Sequence, residues 1–527
     1  MKKILFLFIT AILTFAVLGC TPNKKIPLST EENIEEEPLD YNVEKIVLSK
    51  GFQIMEPNVE VIKKNKTLKL LASIGLIEGS GINIDRITKS GKNINIYISR
   101  TLNNSETQLT VPQAMIEIYD PIIEKHEDLN FNIISQNYDP ISLKFNKNQI
   151  LEKIYNNFKI EPNTIPNVQL TKLKGEMIWN ISFTNIFDKE NPKSALVNLD
   201  VKVDALTGEI LDSVKDTIST YIDDGYLLHY LPNNYLLYKR QHTEKDINYE
   251  SLWTYNIKTG ERCKLYTSRY KISSAIFSPS GQYISLIEVD ENKSDIYMIQ
   301  RSEKVPYKIT PINHLQPKLM KWKDDNILYF IDIKDEKSTL LTYSLDENKS
   351  TVKFSLDKVI ESFDTVDDKL LFTESNPDSL NKKIYLTTND VDLKEIGAGF
   401  KSTFLDDNNL IYLTNTEKED RNILHIYNFE DNNYKDSLDY NVSNYFKLNE
   451  ESIIFIEKNT HNNDFSLNKY NINEKSVTPI AKITSDKIFY NPDKEMAYIT
   501  LCPNYKDNNM SIIYSIDLSK LNIINKN

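Results

Sequence analysis

Apolar and polar positions alternate in a phrase that recurs through the C-terminal part of the chain. In each copy, two or three apolar residues end in an aromatic residue, directly after a turn rich in Asp, Asn or Gly. The aromatic position is occupied by Tyr238, Tyr329, Phe372, Tyr412, Phe455 and Tyr498, and in a degenerate copy by Ser285. Successive copies are 40 to 47 residues apart. Self-similarity at about 40–45 residues with short strands is typical of propeller blades.

A second apolar segment follows each copy after a polar run, and it carries a tyrosine. The tyrosines are Tyr255, Tyr297, Tyr343, Tyr385, Tyr427, Tyr470 and Tyr514. Polar clusters between alternating apolar segments predict hairpin loops, and a further turn and a short strand follow. We therefore predict about four strands in each repeat.

Burial favours a closed arrangement of these repeats. Units packed face to face in a ring bury both of their apolar faces and leave only short edges. The seven copies predict a mainly β fold with a C-terminal seven-bladed β-propeller over residues 221–527. Six blades with a linking sheet are the alternative. A solenoid is a weaker one, because neither end of the array resembles a polar cap.

The first 20 residues have the pattern of an export signal. Lys2 and Lys3 precede an apolar stretch over 4–17 that is short for a membrane span and typical of a secretory signal. Residues 17–20, Val-Leu-Gly-Cys, resemble the lipobox of bacterial lipoproteins. The resemblance implies cleavage before Cys20 and acylation of its thiol. An ordinary signal peptide with an incidental cysteine is the alternative.

Residues 21–43 are predicted to be an acidic tether. They contain a run of glutamates over 31–37 and little that could pack, which is typical of a solvated linker, with an acidic docking patch as the alternative. Two acyl chains suffice for stable anchoring. We therefore expect a protein that its lipid on Cys20 holds at the outer, extracytoplasmic face of the cell membrane.

The region before the repeats divides in two. Residues 44–145 are expected to form a small α+β domain of unassigned family, with a helix near 68–73 and strands at 94–98 and 114–119. Residues 146–220 are expected to form a helix, over 148–155, and then two strands, at 177–183 and 199–205.

The second of these parts ends in a recognisable phrase. Residues 203–211, Val-Asp-Ala-Leu-Thr-Gly-Glu-Ile-Leu, together with the preceding helix and strands, resemble the PepSY family. That resemblance implies an extracytoplasmic interaction module or a restraint on a peptidase. We expect Asp204, Thr207 and Gly208 to form a structural turn, since glycine accepts a positive φ.

The propeller also has a family resemblance. Residues 276–284, Ile-Phe-Ser-Pro-Ser-Gly-Gln-Tyr-Ile, resemble the Phe-Ser-Pro-Asp-Gly phrase of TolB-type propellers, which also occur in prolyl-oligopeptidase-like enzymes. Residues 490–494 are a looser copy. The turn joins the first two strands of a blade, so it is predicted to be scaffold and not a site.

Composition limits the classes of partner that we expect. The net charge is −12, and no basic stripe with interleaved aromatic residues is present, so nucleic acid is not an expected partner. Beyond Cys20 only Cys263 and Cys502 remain. An exported chain could pair them, but free buried thiols are the favoured prediction.

No motif for catalysis or for a cofactor was found. The chain has no G-x-S-x-G, no H-E-x-x-H, no phosphate loop and no dinucleotide fingerprint. The six histidines, His126, His229, His242, His314, His425 and His461, have no metal-pair spacing. Carboxylate pairs recur near predicted blade turns, at 223–224, 324–325, 367–368 and 406–407, which favours turn chemistry over metal binding. We therefore predict no metal, no cofactor and no enzymatic activity.

The functional prediction is a binding scaffold. The propeller is expected to bind a peptide, a protein or an envelope glycan through a face or its central channel. One alternative is a hydrolase or lyase with its site at the channel mouth. The other is a structural bridge or peptidase regulator that acts through the PepSY-like module.

Overall fold

The computed structural model describes most of the chain. The residues described are 36–64, 68–103, 107–119, 129–162, 165–188, 191, 193–245, 247–291, 293–309, 317–388, 393–416, 421–458, 465–483, 485–502 and 511–525. The chain forms two compact units, Met1–Ser142 and Leu143–Asn527. None of the described helices is long and apolar enough to cross a membrane.

The described part of the first unit contains nine strands. They are β1 (Glu37–Pro38), β2 (Asp40–Ser49), β3 (Pro57–Lys64), β4 (Leu68–Ile74), β5 (Ile77–Gly79), β6 (Gly81–Ser90), β7 (Asn93–Thr101), β8 (Gln108–Tyr119) and β9 (Asn130–Ser135). One sheet has the order β1-β6-β7-β9, and the other has the order β2-β8-β4-β3, with β5 also paired to β8. Their facing apolar residues form one core. The last residues of the predicted tether therefore lie in β1 and β2.

The predicted helix at 68–73 is wrong, because these residues form β4. Leu68, Leu70 and Ala72 are all buried while Lys69 and Leu71 are only partly so, which is the period of a strand. The described residues of the first unit contain no helix, so the expected α+β domain is a pair of β-sheets there. The strands predicted at 94–98 and 114–119 are confirmed as parts of β7 and β8.

The second unit begins with one helix and a sheet. Its elements are α1 (Lys147–Phe158), β10 (Ile160–Glu161), β11 (Asn167–Leu173), β12 (Glu176–Asp188), β13 (Val197–Asp204) and β14 (Ile210–Thr217). The sheet order is β10-β12-β13-β14, and β11 pairs with β12. The helix and both strands predicted here are confirmed.

The helix is held at its start and along one face. Asn146 and Gln149 form a capping box, in which each side chain accepts from the backbone N–H of the other residue. Ile150 and Ile154 are buried, and the ring of Tyr155 contacts that of Phe183 on β12 edge to face at 5.7 Å.

The remaining strands carry the repeat. They are β15 (Ser219–Asp224), β16 (Tyr226–Leu231), β17 (Tyr235–Glu244), β18 (Ile247–Asn256), β19 (Arg262–Ser268), β20 (Lys271–Phe277), β21 (Tyr283–Asp290), β22 (Lys293–Gln300), β23 (Pro306–Lys308), β24 (Pro317–Trp322), β25 (Ile327–Lys334), β26 (Lys337–Ser344), β27 (Lys349–Leu356), β28 (Ile360–Val366), β29 (Lys369–Glu374), β30 (Lys382–Thr387), β31 (Lys394–Phe404), β32 (Asn409–Thr416), β33 (Arg421–Asn428), β34 (Asn433–Leu438), β35 (Val442–Asn449), β36 (Ser452–Lys458), β37 (Phe465–Asn471), β38 (Ser476–Ile483), β39 (Ile488–Asn491), β40 (Met496–Leu501) and β41 (Ile512–Asp517). Two 3₁₀ helices, Pro492–Lys494 and Leu518–Asn525, accompany the last strands.

These strands pair as antiparallel sheets in chain order. The four-stranded sheets, here called blades, are β16–β19 (the first blade), β20–β23, β24–β27 and β35–β38. A seven-stranded sheet runs from β28 to β34. The closing blade has the order β15-β41-β40-β39, so a strand from before the repeats completes the last sheet.

The cores show that the array closes on itself. An apolar cluster lies between each sheet and the next along the chain. A further cluster joins the closing blade to the first one, where Ile513 and Tyr498 pack with Tyr238. The predicted propeller is thus confirmed. The aromatic residues of the recurring phrase are almost fully buried in these clusters, as predicted for packing residues.

The seven-stranded sheet arises because one strand serves two neighbours. The first half of β31 pairs with β30 and its second half pairs with β32. At Gly399 a Cβ atom would lie 2.5 Å from the carbonyl oxygen of Leu413 and 2.6 Å from the Tyr412 ring, so only glycine fits there. The copies at Phe372 and Tyr412 are also the closest together in sequence, 40 residues apart, and β31 runs unbroken from one neighbouring strand to the other between them.

Candidate functional site

The candidate site lies on a long hairpin of the first blade. β17 and β18 have ten residues each and pair along their whole length, with Glu244 opposite Ile247 at the tip. Alternate residues of a strand share a face. Tyr249, Ser251 and Trp253 therefore point to the same side of β18.

Three polar side chains form a hydrogen-bonded chain on that face. The Nε2 atom of His242 lies 2.6 Å from the hydroxyl oxygen of Ser251. The indole N–H of Trp253 donates to the same oxygen at 2.7 Å. The imidazole stacks on the ring of Tyr249, with centroids 4.6 Å apart and planes 14° apart. Four neighbouring side chains thus fix one another in place.

A cavity lies beside these hydrogen-bonded side chains. Its volume is about 440 Å³, within the range of about 300–1,000 Å³ that is common for small-molecule sites. His242, Tyr249, Ser251 and Trp253 line it together with Ile247 and Thr267. The second, third and fourth strands of the blade build it, and β16, the first strand, contributes no lining residue.

The cavity is basic although the chain is acidic. Lys245, Lys264 and Arg269 line it against a single carboxylate, that of Glu244, whereas the whole chain carries a net charge of −12. Burial lowers the pKa of His242, and the positive charges of Arg240 and Lys264 lower it further. His242 is therefore neutral near pH 7.

Strand β15 of the closing blade supports one wall of the cavity. The guanidinium of Arg240 lies over the Trp253 ring, 4.2 Å from its centroid. Asp223 on β15, a buried carboxylate, accepts from that guanidinium and from the hydroxyl of Tyr238. Burial alone would lower the pKa of Arg240, but Asp223 outweighs it and raises the pKa. The cation that holds Trp253 is thus fixed by ring closure.

Two polar side chains on first strands of their sheets are engaged by other parts of the protein. The carboxylate of Asp364 on β28 accepts from Lys321, from Thr403 and from the backbone N–H of Phe404. The Nδ1 atom of His229 on β16 accepts from the backbone N–H of Phe277 at 3.4 Å. Within the described ranges, no group of three or more His, Cys, Asp or Glu side chains could hold a metal ion.

The other predicted residues have mixed outcomes. Asp324 and Asp406 each accept from two backbone N–H groups of their own turns, which confirms turn chemistry. Asp223 is different, since it is the buried partner of Arg240. Cys263 and Cys502 are free as favoured, but Cys502 is exposed and Cys263 is partly so, so the predicted burial is wrong. Cys20, His126, His314 and His461 lie outside the described residues.

The turn at the end of the PepSY-like phrase is confirmed as structural. Asp204 accepts from the backbone N–H groups of Leu206 and Thr207, at 2.9 and 2.7 Å. The hydroxyl of Thr207 accepts from the N–H of Glu209 at 3.2 Å. Gly208 has a φ of 73°, and a Cβ atom there would meet the ring of Phe145.

The hairpin site was missed because linear motifs were sought. His242 and Ser251 are nine residues apart on different strands, and they meet only through the hairpin register. The period-two sequence Ile247, Tyr249, Ser251, Trp253 was a usable signal. A tight turn near 245–246 would have placed His242 opposite Tyr249 and diagonal to Ser251.

Solved structures resemble this chain in fold. An oligogalacturonate lyase from Vibrio parahaemolyticus matches with a TM-score of 0.45 and 13% identity, covering 61% of this chain and 96% of its own. The β-propeller domain of the Trilobed protease from Pyrococcus furiosus matches with a TM-score of 0.42 and 15% identity over 59% and 100%. Dipeptidyl peptidase 4 from Porphyromonas gingivalis matches with a TM-score of 0.38 and 12% identity over 70% and 59%. No protein-family model and no curated protein sequence matches the chain.

These similarities correct one prediction. The chain was predicted not to be an enzyme, yet a lyase and a peptidase are among the structures that it resembles. A missing sequence motif is thus no ground for excluding catalysis, since side chains from separate strands can meet in space, as His242 and Ser251 do. At this level of similarity the comparisons speak to fold and name no substrate.

Proposed function

We propose that this chain is an exported propeller protein that binds an acidic, ring-bearing ligand in the cavity of the first blade. The observation that carries the proposal is the lining of the cavity, where three cationic side chains surround aromatic rings. Aromatic faces stack on flat or ring-shaped groups, and Lys and Arg pair with carboxylates. Of the ligand classes expected for an envelope protein, an acidic glycan fits this combination best.

The same proposal covers the architecture. Counting the seven-stranded sheet as two blades that share β31, together with the closing blade, gives seven blades. Residues 146–220 would act as a PepSY-like interaction module. Its Phe187 and Leu196 belong to the same apolar cluster as Tyr514 of the closing blade, so the module would bear on ring closure.

The proposed location is the outer face of the cell membrane, with the lipid on Cys20 as the anchor and 21–35 as the tether. The lipobox-like sequence at 17–20 supports it. Replacing Cys20 with Ala should release the protein into the soluble fraction of whole cells. A variant that stays with the membrane would contradict the anchor.

The binding test is a calorimetric titration. The probe is a trisaccharide of uronic acids, and its control is the same trisaccharide with each carboxylate reduced to an alcohol. We expect the acidic sugar to bind and the reduced one to bind at least tenfold more weakly, about 1.4 kcal/mol, because its groups no longer pair with Lys264 and Arg269. Equal affinity for the two sugars, or no binding of the acidic one, would contradict the proposal.

Substitutions of the lining residues test whether the ligand binds in this cavity. Lys264→Gln and Arg269→Gln should each weaken binding of the acidic trisaccharide about threefold to tenfold, and Trp253→Ala should weaken it more. Lys293→Gln is the matched control, since this lysine of β22 is 66% exposed and lines no part of the cavity. A loss of affinity in the control equal to that in Lys264→Gln would place the ligand elsewhere.

A propeller-based hydrolase is the second candidate function. The observation that favours it over a lyase is the contact of 2.6 Å between the Ser251 hydroxyl and the His242 imidazole, the arrangement of a nucleophile with its base.

A further inference from the structure

We infer that Ser251 is a nucleophile, that His242 is its general base, and that the cavity hydrolyses an ester carried by its acidic ligand. This deepens the proposed function and rests on it for the identity of the ligand. A nucleophile–base pair is recognised by a hydrogen bond of about 2.6–3.2 Å between the two side chains, and the contact of 2.6 Å between Ser251 and His242 lies within that range.

The proton of Ser251 is directed by its second neighbour. An indole N–H can only donate, so the contact of 2.7 Å from Trp253 uses the Ser251 oxygen as an acceptor. The hydroxyl proton is then free to point to Nε2 of His242. This arrangement requires the imidazole proton to be on Nδ1, which is the tautomer that a general base for serine uses.

The surroundings of His242 keep it able to accept a proton. Arg240 on its own strand and Lys264 on β19 are the positive charges that act on it, and Tyr249 on β18 covers one face of its ring. Asp223 on β15 is engaged by Arg240, so its charge is already compensated. A neutral imidazole with a free lone pair is what general-base catalysis at neutral pH requires.

Ser251 lies at the wall of the cavity although the residue is almost wholly enclosed. Ser251 has only 1% of its surface exposed, yet it lines the cavity. Lys264 and Arg269 line the same space. Positive charge beside the reacting carbonyl stabilises the oxyanion that forms when an ester is attacked.

The reaction balances without any other reagent than water. The Ser251 oxygen bonds to the acyl carbon and its proton moves to Nε2 of His242. The bond from that carbon to the alcohol oxygen then breaks, and the alcohol leaves with the proton from His242. Water attacks the acyl-enzyme, gives its proton to His242, and frees the acid, while His242 returns the proton to Ser251.

The test is covalent labelling with diisopropyl fluorophosphate, a small neutral reagent that reacts with activated serines. We expect one label per chain, located at Ser251 by peptide mass spectrometry. Ser251→Ala should remove it, and Ser437→Ala should not. Ser437 is the matched control, because its hydroxyl lies 2.8 Å from Nδ1 of His425 in another sheet. An unlabelled wild type, or labelling that survives Ser251→Ala, would overturn the inference.

A second variant separates catalysis from a structural role. His242→Gln keeps a polar group beside Ser251 but removes the base, so the labelling rate should fall at least a hundredfold with the thermal midpoint of unfolding little changed. The wild-type rate should rise with pH to a plateau, with a midpoint below about 6.5, and the variant should lose that step. A rate unchanged in His242→Gln would overturn the role of the base.

The labelling experiment and the trisaccharide titration have independent outcomes. The reagent carries no charge and no sugar, so labelling does not require the acidic ligand to bind. Labelling at Ser251 without trisaccharide binding would keep the nucleophile and reject the proposed ligand. Trisaccharide binding without labelling would keep the binding site and reject the nucleophile.

Discussion

Two histidines with hydroxyl partners lie on different sheets of the propeller, and their surroundings differ. His242 on the first blade contacts the hydroxyl of Ser251 and stacks on Tyr249, beside a cavity. His425 on β33 contacts Thr414 through Nε2 and Ser437 through Nδ1, both at 2.8 Å. A histidine–hydroxyl contact alone is therefore no sign of a site. What distinguishes His242 is the open space beside it and the basic lining of that space.

The two hairpins also differ in length. β17 and β18 have ten residues each, whereas β32 and β33 have eight. The two extra pairs, Thr243 with Asn248 and Glu244 with Ile247, lie at the tip, just beyond His242 and Tyr249. On the other sheet, the rings of Tyr412 and Tyr434 lie 5.5 and 5.2 Å from that of His425. The extension of the first-blade hairpin thus adds Glu244 and Ile247 to the cavity wall, whereas tyrosine rings pack around His425.

The largest expected effect on stability comes from removing the carboxylate that supports the first blade, compared with removing a carboxylate near His425. Asp223→Ala leaves the partly buried Arg240 without its partner, so we expect the free energy of unfolding to fall by about 2–4 kcal/mol. Asp436→Ala, on the strand next to that of His425, removes an acceptor for the hydroxyl of Tyr470 and should cost about 1 kcal/mol. Urea unfolding midpoints would measure both.

That pair of variants can also break the comparison. If Asp436→Ala lowers the free energy of unfolding as much as Asp223→Ala does, strand β15 gives the first blade no special support. A change in the urea slope of Asp223→Ala, rather than in its midpoint alone, would indicate that the ring opens before the rest of the protein unfolds.

A smaller effect concerns acid stability. Burial lowers the pKa of His229, on the first strand of the first blade, to about 4. The unfolded chain has a histidine pKa of about 6.5, so it takes up the proton first, and the stability is full above pH 6.5 and lost as pH falls to about 4. His229→Gln should remove a loss of up to about 3 kcal/mol over that window.

His425→Gln is the control for this prediction. Burial also lowers the pKa of His425, so the variant should flatten the pH dependence in the same direction. Both of its ring nitrogens are hydrogen-bonded to hydroxyls, and we expect its effect to be smaller. Urea unfolding at pH 7, 5.5 and 4 would show the order, and a larger effect for His425→Gln would reverse the comparison.

The recurring phrase predicted the propeller because packing between sheets demands it. Each aromatic residue of the phrase lies in an inner strand of its sheet, namely β17, β25, β29, β32, β36 or β40. The shared strand β31 was not predicted, although the short distance of 40 residues between the copies at Phe372 and Tyr412 was a sign of it. A helix was predicted at 68–73 because so short an apolar run has no clear period, and burial within the sheet makes it a strand instead.

The structural turn could be predicted from the sequence, whereas the candidate site could not. The turn of Asp204 and Gly208 follows from local chemistry, since Asp caps such turns and glycine accepts their φ. The contact of His242 with Ser251 depends on register and on hairpin length, which a search for linear motifs does not test. The role of Asp223 depends on β15 joining the last sheet, a pairing between residues almost three hundred positions apart.

Amide hydrogen exchange with and without the acidic trisaccharide tests the central claim most directly. We predict slower exchange in β17, β18 and β19 on addition of the sugar, and no change in β32, β33 and β34, which surround the other histidine. Protection of β32–β34 with none in β17–β19, or no protection in either, would contradict a ligand site on the first blade.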